Sequence, residues 1–239
     1  MKGELLYGLR PVLELLRSGR REVLEVLDAS GSEEIEQAAA ERGAPVRRIS
    51  RKRAAELVPG SVHQGVLARA GPYPYAELEE ILSDGVPLLL VLDGVTDPQN
   101  LGGVLRVADA AGASGVVIPK DRAAPVTPAA VKASAGASEY VRVARETNLR
   151  RALEHVKEAG VWVYAAESRG GTPYVELDLA GPVALALGSE GRGLRRLVRE
   201  ACDGMVSIPM CGTVDSLNVS VAAAVLAFEA RRQRGWRRT

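Results

Sequence analysis

Five hydrogen-bonding side chains in three short segments carry the chemical interest of this 239-residue sequence. Asn100 and Arg106 lie in DGVTDPQNLGGVLR (93–106), Glu190 in LGSEGRGL (187–194), and Ser216 and Asn218 in IPMCGTVDSLNVSVAAAVLAFE (208–229). Asparagine occurs only three times, as Asn100, Asn148 and Asn218, so two of the three fall inside these segments. Each segment follows an apolar run and carries glycine or proline. Solvated loops favour Lys, Asp and Glu, whereas Ser216 and Asn218 lead straight into a helix so apolar over its first turns that burial is expected. Polar groups at the mouth of a buried helix need partners or a ligand. The helix start also offers N–H groups that have no partner within the helix. A ligand site built from an amide, a guanidinium, a carboxylate and a hydroxyl is the chemistry these residues support.

Two generic readings fail on spacing. Gly188, Gly191 and Gly193 give G-x-x-G-x-G, the reverse of the dinucleotide fingerprint, and no Walker-type phosphate loop occurs. Cys202, Cys211, His63 and His155 are too few and too scattered for a zinc site.

The elements that must position these residues alternate between strand and helix. RPVLELLRSG reads as a helix, EVLEVLDA as a strand, and SEEIEQAAAERG as a helix capped by Ser32 and closed by Gly43. VRRIS (strand), RKRAAEL (short helix) and GVLARA (strand) follow, and the proline-punctuated GPYPY, 71–75, marks a seam. Beyond it, PLLLVLDGV, GVVIP, VWVYAAE, PVALALG and MVSIP are strands without a polar face. Such strands alternating with helices predict a mostly parallel α/β sheet covered on both sides. Thr127-Pro128 starts one of the helices, and NLRRALEHVKEAG is another, closed by Gly160. Sheets of this kind bind ligands outside the carboxyl ends of their strands, where the polar segments fall.

With 46% hydrophobic and 26% charged residues, the chain is long enough for a large domain or two smaller ones. No apolar run of membrane-spanning length and no secretory leader pattern occurs, so a cytoplasmic protein is the expectation. A net charge of +1 argues against nucleic-acid binding through overall charge alone. Local basic clusters remain: Arg47, Arg48, Arg51, Lys52 and Arg53, and the terminal RRQRGWRRT.

In their order and spacing, DGVTDPQNLGGVLRVA, LALGSEGRGL and IPMCGTVDSLNVSVAAAVLAFE resemble the three signature motifs of the SpoU (TrmH-like) family of the SPOUT superfamily of RNA methyltransferases. The likeness covers roughly 88–229. YGLRPVLELLRSG and HQGVLARA are similar, less specifically, to a small ribosomal-protein-like RNA-binding domain that precedes the catalytic domain in one branch, whose members methylate a guanosine ribose in 23S rRNA. Relatives often carry a histidine where this chain reads Leu9-Arg10-Pro11, so no role is transferred there.

The resemblance implies an RNA-binding domain at 1–70, a linker at 71–77 and a SPOUT methyltransferase domain at 78–239, with a deep trefoil knot formed by the segments around 188–194 and 208–220. It implies S-adenosylmethionine as cofactor, held in the knot at Leu187, Gly188, Ile208 and Leu217, and a catalytic set of Asn100, Arg106, Glu190, Ser216 and Asn218. Arg106 suits a phosphate, to which a guanidinium donates two parallel hydrogen bonds, while the resemblance also implies a general-base role for the matching arginine, and both roles stay open. The partners implied are RNA, either 23S rRNA or tRNA, and a second copy of the chain through the catalytic domain, with helix 219–228 as the surface. Neither DNA nor a membrane is implied. Arg47, Arg48, Arg51, Lys52 and Arg53 are the candidate RNA contacts. A non-catalytic RNA-binding protein on the same scaffold is the alternative from another class, and its mark would be a damaged motif.

Overall fold

A computed structural model of the chain describes residues 3–236. It contains two sheets. The first joins β1 (Glu4–Tyr7), β2 (Val23–Asp28), β3 (Val46–Arg48) and β4 (Val66–Ala70) in the order β1-β4-β2-β3. Strand β1 was not evident in the sequence, because four residues ahead of a helix carry too short a pattern to separate from a turn. Helices α1 (Leu9–Ser18) and α2 (Glu33–Arg42) pack against each other over one face of this sheet. On the other face, α3 (Arg51–Leu57) buries Ala54 against Leu27 and Leu67. Ser32 caps α2 by accepting from the Ile35 amide at 3.4 Å, and Gly43 closes it at φ 69°, as the sequence predicts.

The second sheet has seven strands in the order β7-β6-β5-β10-β8-β11-β9, and every pairing is parallel. Its strands are β5 (Leu88–Asp93), β6 (Gly115–Pro119), β7 (Val143–Glu146), β8 (Trp162–Glu167), β9 (Thr172–Pro173), β10 (Val183–Gly188) and β11 (Gly204–Ser207). Residues Leu88 to Leu92 of β5 are completely buried, which is why the run has no polar face. Helices α4 (Leu78–Leu82), α7 (Leu149–Glu158) and α8 (Arg196–Glu200) cover one side. Helices α5 (Pro98–Ala111), α6 (Pro128–Ala133) and α9 (Val219–Arg234) cover the other.

The pair Gly102-Gly103 lets α5 lie tightly between its neighbours. A Cβ on Gly102 would stand 2.4 Å from the Ala133 Cβ, and one on Gly103 2.8 Å from the Ser220 Cβ. Helix α9 is buried on one side only: Val219, Ala223, Leu226 and Ala227 face inward, while Val221 and Phe228 are exposed. A helix lying on a sheet can bury only one side within its own chain.

The segment expected as a linker is a fixed strap. The Ala76 amide donates to the Val143 carbonyl at 2.9 Å, pairing the segment with the edge strand β7. Tyr73 is buried, and its hydroxyl lies 2.9 Å from the Ser138 carbonyl; burial pushes its pKa well above the usual phenol range. Beside it, the fully buried guanidinium of Arg21 reaches Glu139 at 3.2 Å and Glu4 at 2.5 Å. One continuous apolar core therefore runs from Leu6 and Val12 to Leu90 and Leu226.

Candidate active site

Three strand ends converge at the junction of β5 and β10, where strand order reverses direction. At the end of β5, Asp97 caps α5 by accepting from the Gln99 amide at 2.9 Å, with Pro98 at the first helical position. Asn100 thus lies inside the first turn of α5 and is not its cap. At the end of β10, the glycine-rich turn closes through the Gly193 amide, which donates to the Ser189 carbonyl at 2.9 Å and presents Glu190. After β11, Asn218 caps α9, accepting from the Ser220 amide at 2.9 Å and the Ser220 hydroxyl at 2.6 Å.

The three side chains meet. Asn218 Nδ2 donates to Asn100 Oδ1 at 2.8 Å and to Glu190 Oε1 at 2.5 Å, and Asn100 Nδ2 donates to the same Glu190 oxygen at 3.1 Å. The Ser220 amide can only donate, so it fixes Asn218 Oδ1 as acceptor and turns its NH₂ toward Glu190. That orientation in turn fixes the Asn100 amide.

Beside this cluster lies a cavity of about 350 Å³, within the range of small-ligand sites. Leu187, Val206, Ile208, Ala222 and Leu226 supply apolar lining, while Glu190, Asp215 and Ser216 add polar groups. Leu187, Gly188, Ile208 and Leu217, expected to hold the cofactor, all line it. Gly188 has no room for a side chain, since a Cβ there would stand 2.0 Å from the Gly193 carbonyl carbon. An apolar pocket with polar groups and free backbone at its edge fits a molecule that is flat and apolar at one end and charged at the other, as S-adenosylmethionine is.

Sequence reasoning missed Asp93, whose carboxylate is completely buried at the end of β5. It accepts from the Arg195 amide at 2.8 Å and from Arg195 Nε at 2.7 Å, clamping the far end of the Glu190 turn. An acid ending an apolar strand is the signal that could have found it. Ala166, Glu167, Ser168 and Met210 also line the cavity, and nothing in their local sequence marks them.

Arg106 does not join the cluster of its own chain. It stands six residues beyond Asn100, about 9 Å further along α5 and roughly a third of a turn round from it. The side chain is exposed, does not line the cavity beside the cluster, and makes no hydrogen bond or ion pair among the described residues.

The basic clusters are less free than their sequence suggests. Arg48 pairs with the buried Asp28 and with Glu36, Arg47 with Glu25 at 3.3 Å, and Arg53 with Glu56 at 3.0 Å. Arg51 and Lys52 have no such partner among the described residues. In the terminal cluster, Arg231 donates to the carbonyls of Ala111 and Gly112, and Arg234 to those of Leu179, Val86, Pro87 and Gly181. Arg237 and Arg238 lie outside the described residues.

Comparison with known proteins gives the family. The 23S rRNA (guanosine-2'-O-)-methyltransferase RlmB of Ralstonia nicotianae is 52% identical over 72% of this chain and 70% of its own length. The putative TrmH family tRNA/rRNA methyltransferase YacO of Bacillus subtilis is 40% identical over 97% of this chain and 96% of its own. Among solved structures, AviRb, a SpoU methyltransferase from Streptomyces viridochromogenes in complex with AdoMet, superposes with a TM-score of 0.83 at 26% identity, covering 96% of this chain and 90% of that one. The AdoMet-bound rRNA methyltransferase of Sinorhizobium meliloti gives a TM-score of 0.81 at 28% identity, covering 97% and 87%. Residues 5–76 match the family model for RNA 2'-O ribose methyltransferase substrate binding. Residues 87–228 match that of the SpoU rRNA methylases, and the chain belongs to the SpoU rRNA methylase family.

Proposed function

We propose that the protein transfers a methyl group from S-adenosylmethionine to a ribose 2′-OH of RNA, and that the target is a guanosine of 23S rRNA. The observation that carries this reading is the Asn100–Glu190–Asn218 cluster at the edge of a cavity lined by Leu187, Gly188, Ile208 and Leu217. All three family motifs thus converge on one site, intact, which argues against a non-catalytic scaffold. The family and the similarity to RlmB proteins supply the reaction and the RNA.

S-adenosylmethionine, when bound, supplies an electrophilic methyl on a sulfonium. The chain's own residues do the rest. Leu187, Val206, Ile208 and Leu226 give the cavity an apolar wall that excludes water. Ser216 adds a hydroxyl to the cavity wall, and the amide groups of Asn100 and Asn218 orient the Glu190 carboxylate at its edge. Arg106, permanently protonated, is assigned to an RNA phosphate rather than to proton removal.

The finer points of the fold belong to the same reading. The trefoil knot is assigned to 188–194 and 208–220 on the family resemblance, and the contact of α9 with α5 is in keeping with it. Residues 3–70 serve as the RNA-binding unit, with Arg51 and Lys52 as contacts. The exposed Val221 and Phe228 on α9 form the centre of a homodimer interface. A cytoplasmic location follows from the substrate.

Incubation with tritiated S-adenosylmethionine and unmodified 23S rRNA, 16S rRNA or tRNA tests the function. One alkali-resistant linkage in 23S rRNA is the expected result. Label in tRNA alone would move the substrate while keeping the chemistry.

A further inference from the structure

Glu190 stands between two cavities. It lines the 350 Å³ cavity and also a second of about 190 Å³, whose other walls include Thr96, Asp97 and Asn100. The smaller cavity is polar and opens at the same strand ends. A methyl donor in the larger and a nucleoside in the smaller would meet where the two share Ser189, Glu190 and Val219.

The hydrogen bonding of Glu190 is lopsided. Oε1 accepts from both Asn218 Nδ2, at 2.5 Å, and Asn100 Nδ2, at 3.1 Å. Oε2 has no partner among the described residues, and no Lys or Arg forms an ion pair with the carboxylate there. A carboxylate held by one oxygen against two neutral amides is fixed in orientation while its other oxygen stays free to take a proton.

Of the carboxylates that line the two cavities Glu190 alone lines both, and Glu167 lines only the larger. Asn100 and Asn218 are neutral amides and do not accept protons. Asp97 lines only the smaller cavity, with Oδ1 committed to the Gln99 amide. Asp215 lines only the larger and pairs with Arg169 at 2.8 Å. Arg106 is already protonated and lies outside both cavities.

We propose that the smaller cavity seats the target nucleoside and that Glu190 Oε2 accepts the proton of its 2′-OH, an assignment that rests on the methyl-transfer function proposed for the larger site. As O2′ forms its bond to the methyl carbon, the bond from that carbon to sulfur breaks and leaves its electron pair on sulfur. The O2′ proton passes to Glu190 Oε2 and then to water. Asn100 and Asn218 are positioning residues in this scheme, because they aim the carboxylate.

The test compares Glu190→Gln and Glu190→Ala with the wild-type enzyme in single-turnover methyl transfer to 23S rRNA, alongside S-adenosylhomocysteine binding by calorimetry. Gln keeps an oxygen for the two amides and cannot take the proton. The expected result is a fall in transfer rate of about a hundredfold or more in Glu190→Gln, the range of a lost general base. S-adenosylhomocysteine affinity should stay within about threefold of wild type. Added formate should raise the rate of Glu190→Ala and not that of Glu190→Gln, a response that a purely structural carboxylate would not give. A Glu190→Gln rate near wild type overturns the proposal. So does a lost rate accompanied by equal loss of S-adenosylhomocysteine binding and no formate rescue, which would leave Glu190 a structural part of the cavity. A wild-type protein that labels no RNA would overturn the function reading itself, and with it this one.

Discussion

Gly188→Ala is the sharpest perturbation the structure offers. The residue ends β10, pairs with Asp93 in register and lines the larger cavity. Its Cβ would meet the Gly193 carbonyl carbon at 2.0 Å, the Leu194 nitrogen at 2.3 Å and the Gly193 oxygen at 2.4 Å. All three are backbone atoms and none can rotate away. Ordinary carbon–carbon contact lies near 3.5 Å, so one methyl requires about 1.5 Å of separation between the strand end and the turn. That movement breaks the Gly193-to-Ser189 hydrogen bond and withdraws Glu190 from Asn100 and Asn218. Overpacking of this kind costs about 1–3 kcal/mol, and each kcal/mol lowers the melting temperature of a chain of this size by roughly 2–4 °C. S-adenosylhomocysteine binding should fall far more than stability does, because the displaced atoms are the cavity wall. Differential scanning fluorimetry and calorimetric titration measure the two effects. Gly212→Ala, in a neighbouring loop with nothing within 4 Å and no positive φ, is the control and should change neither. Wild-type affinity for S-adenosylhomocysteine in Gly188→Ala would refute the reasoning.

Other outcomes follow from the same geometry. Arg106→Ala should abolish methyl transfer while S-adenosylhomocysteine affinity, measured by calorimetry, stays at the wild-type value; unchanged turnover would remove Arg106 from the mechanism. Arg51→Ala with Lys52→Ala should weaken RNA binding and reduce its salt dependence, with the slope of log K against log salt falling by about one for each phosphate no longer neutralised. Arg48→Ala should instead lower stability by about 1 kcal/mol, discounted for solvent screening of its half-exposed guanidinium, because it leaves Asp28 without its cation. Hydrogen bonds from Arg232 and Gln233 hold the Glu229 carboxyl at about 2, below its ordinary range. A depressed carboxylate contributes stability above its unfolded pKa of about 4.3 and loses it as pH falls toward the folded value. The difference in urea midpoint between wild type and Glu229→Gln should therefore shrink as pH drops from 5 toward 2, and a constant difference would contradict the assignment.

What proved legible in the sequence was local. Ser32, Thr127 and Asn148 cap α2, α6 and α7 through bonds to residues three positions on, so composition over a single turn identifies them. The strands of the parallel sheet carry their burial in unbroken apolar runs. Strand β7 escaped because four residues ending in Arg145 and Glu146 do not form such a run. The same limit hid β1.

Hydrophobic run length and capping chemistry act over a few residues, and they suffice to specify an α/β chain with a parallel sheet and to put Asn100, Glu190 and Asn218 at strand ends. That these three share one hydrogen-bonded cluster is a product of the fold, for their separations of 90, 28 and 118 positions are closed by strand order and by the return of α9 onto α5. The fold also settles which charges are free. Arg48 and Arg51 look alike in sequence, yet one pairs with Asp28 of the neighbouring strand and Glu36 of α2 and the other has no such partner among the described residues. Arg106 shares a helix with Asn100 but is turned away from the cluster, since helical phase separates residues six apart and only packing fixes which phase meets the cavity.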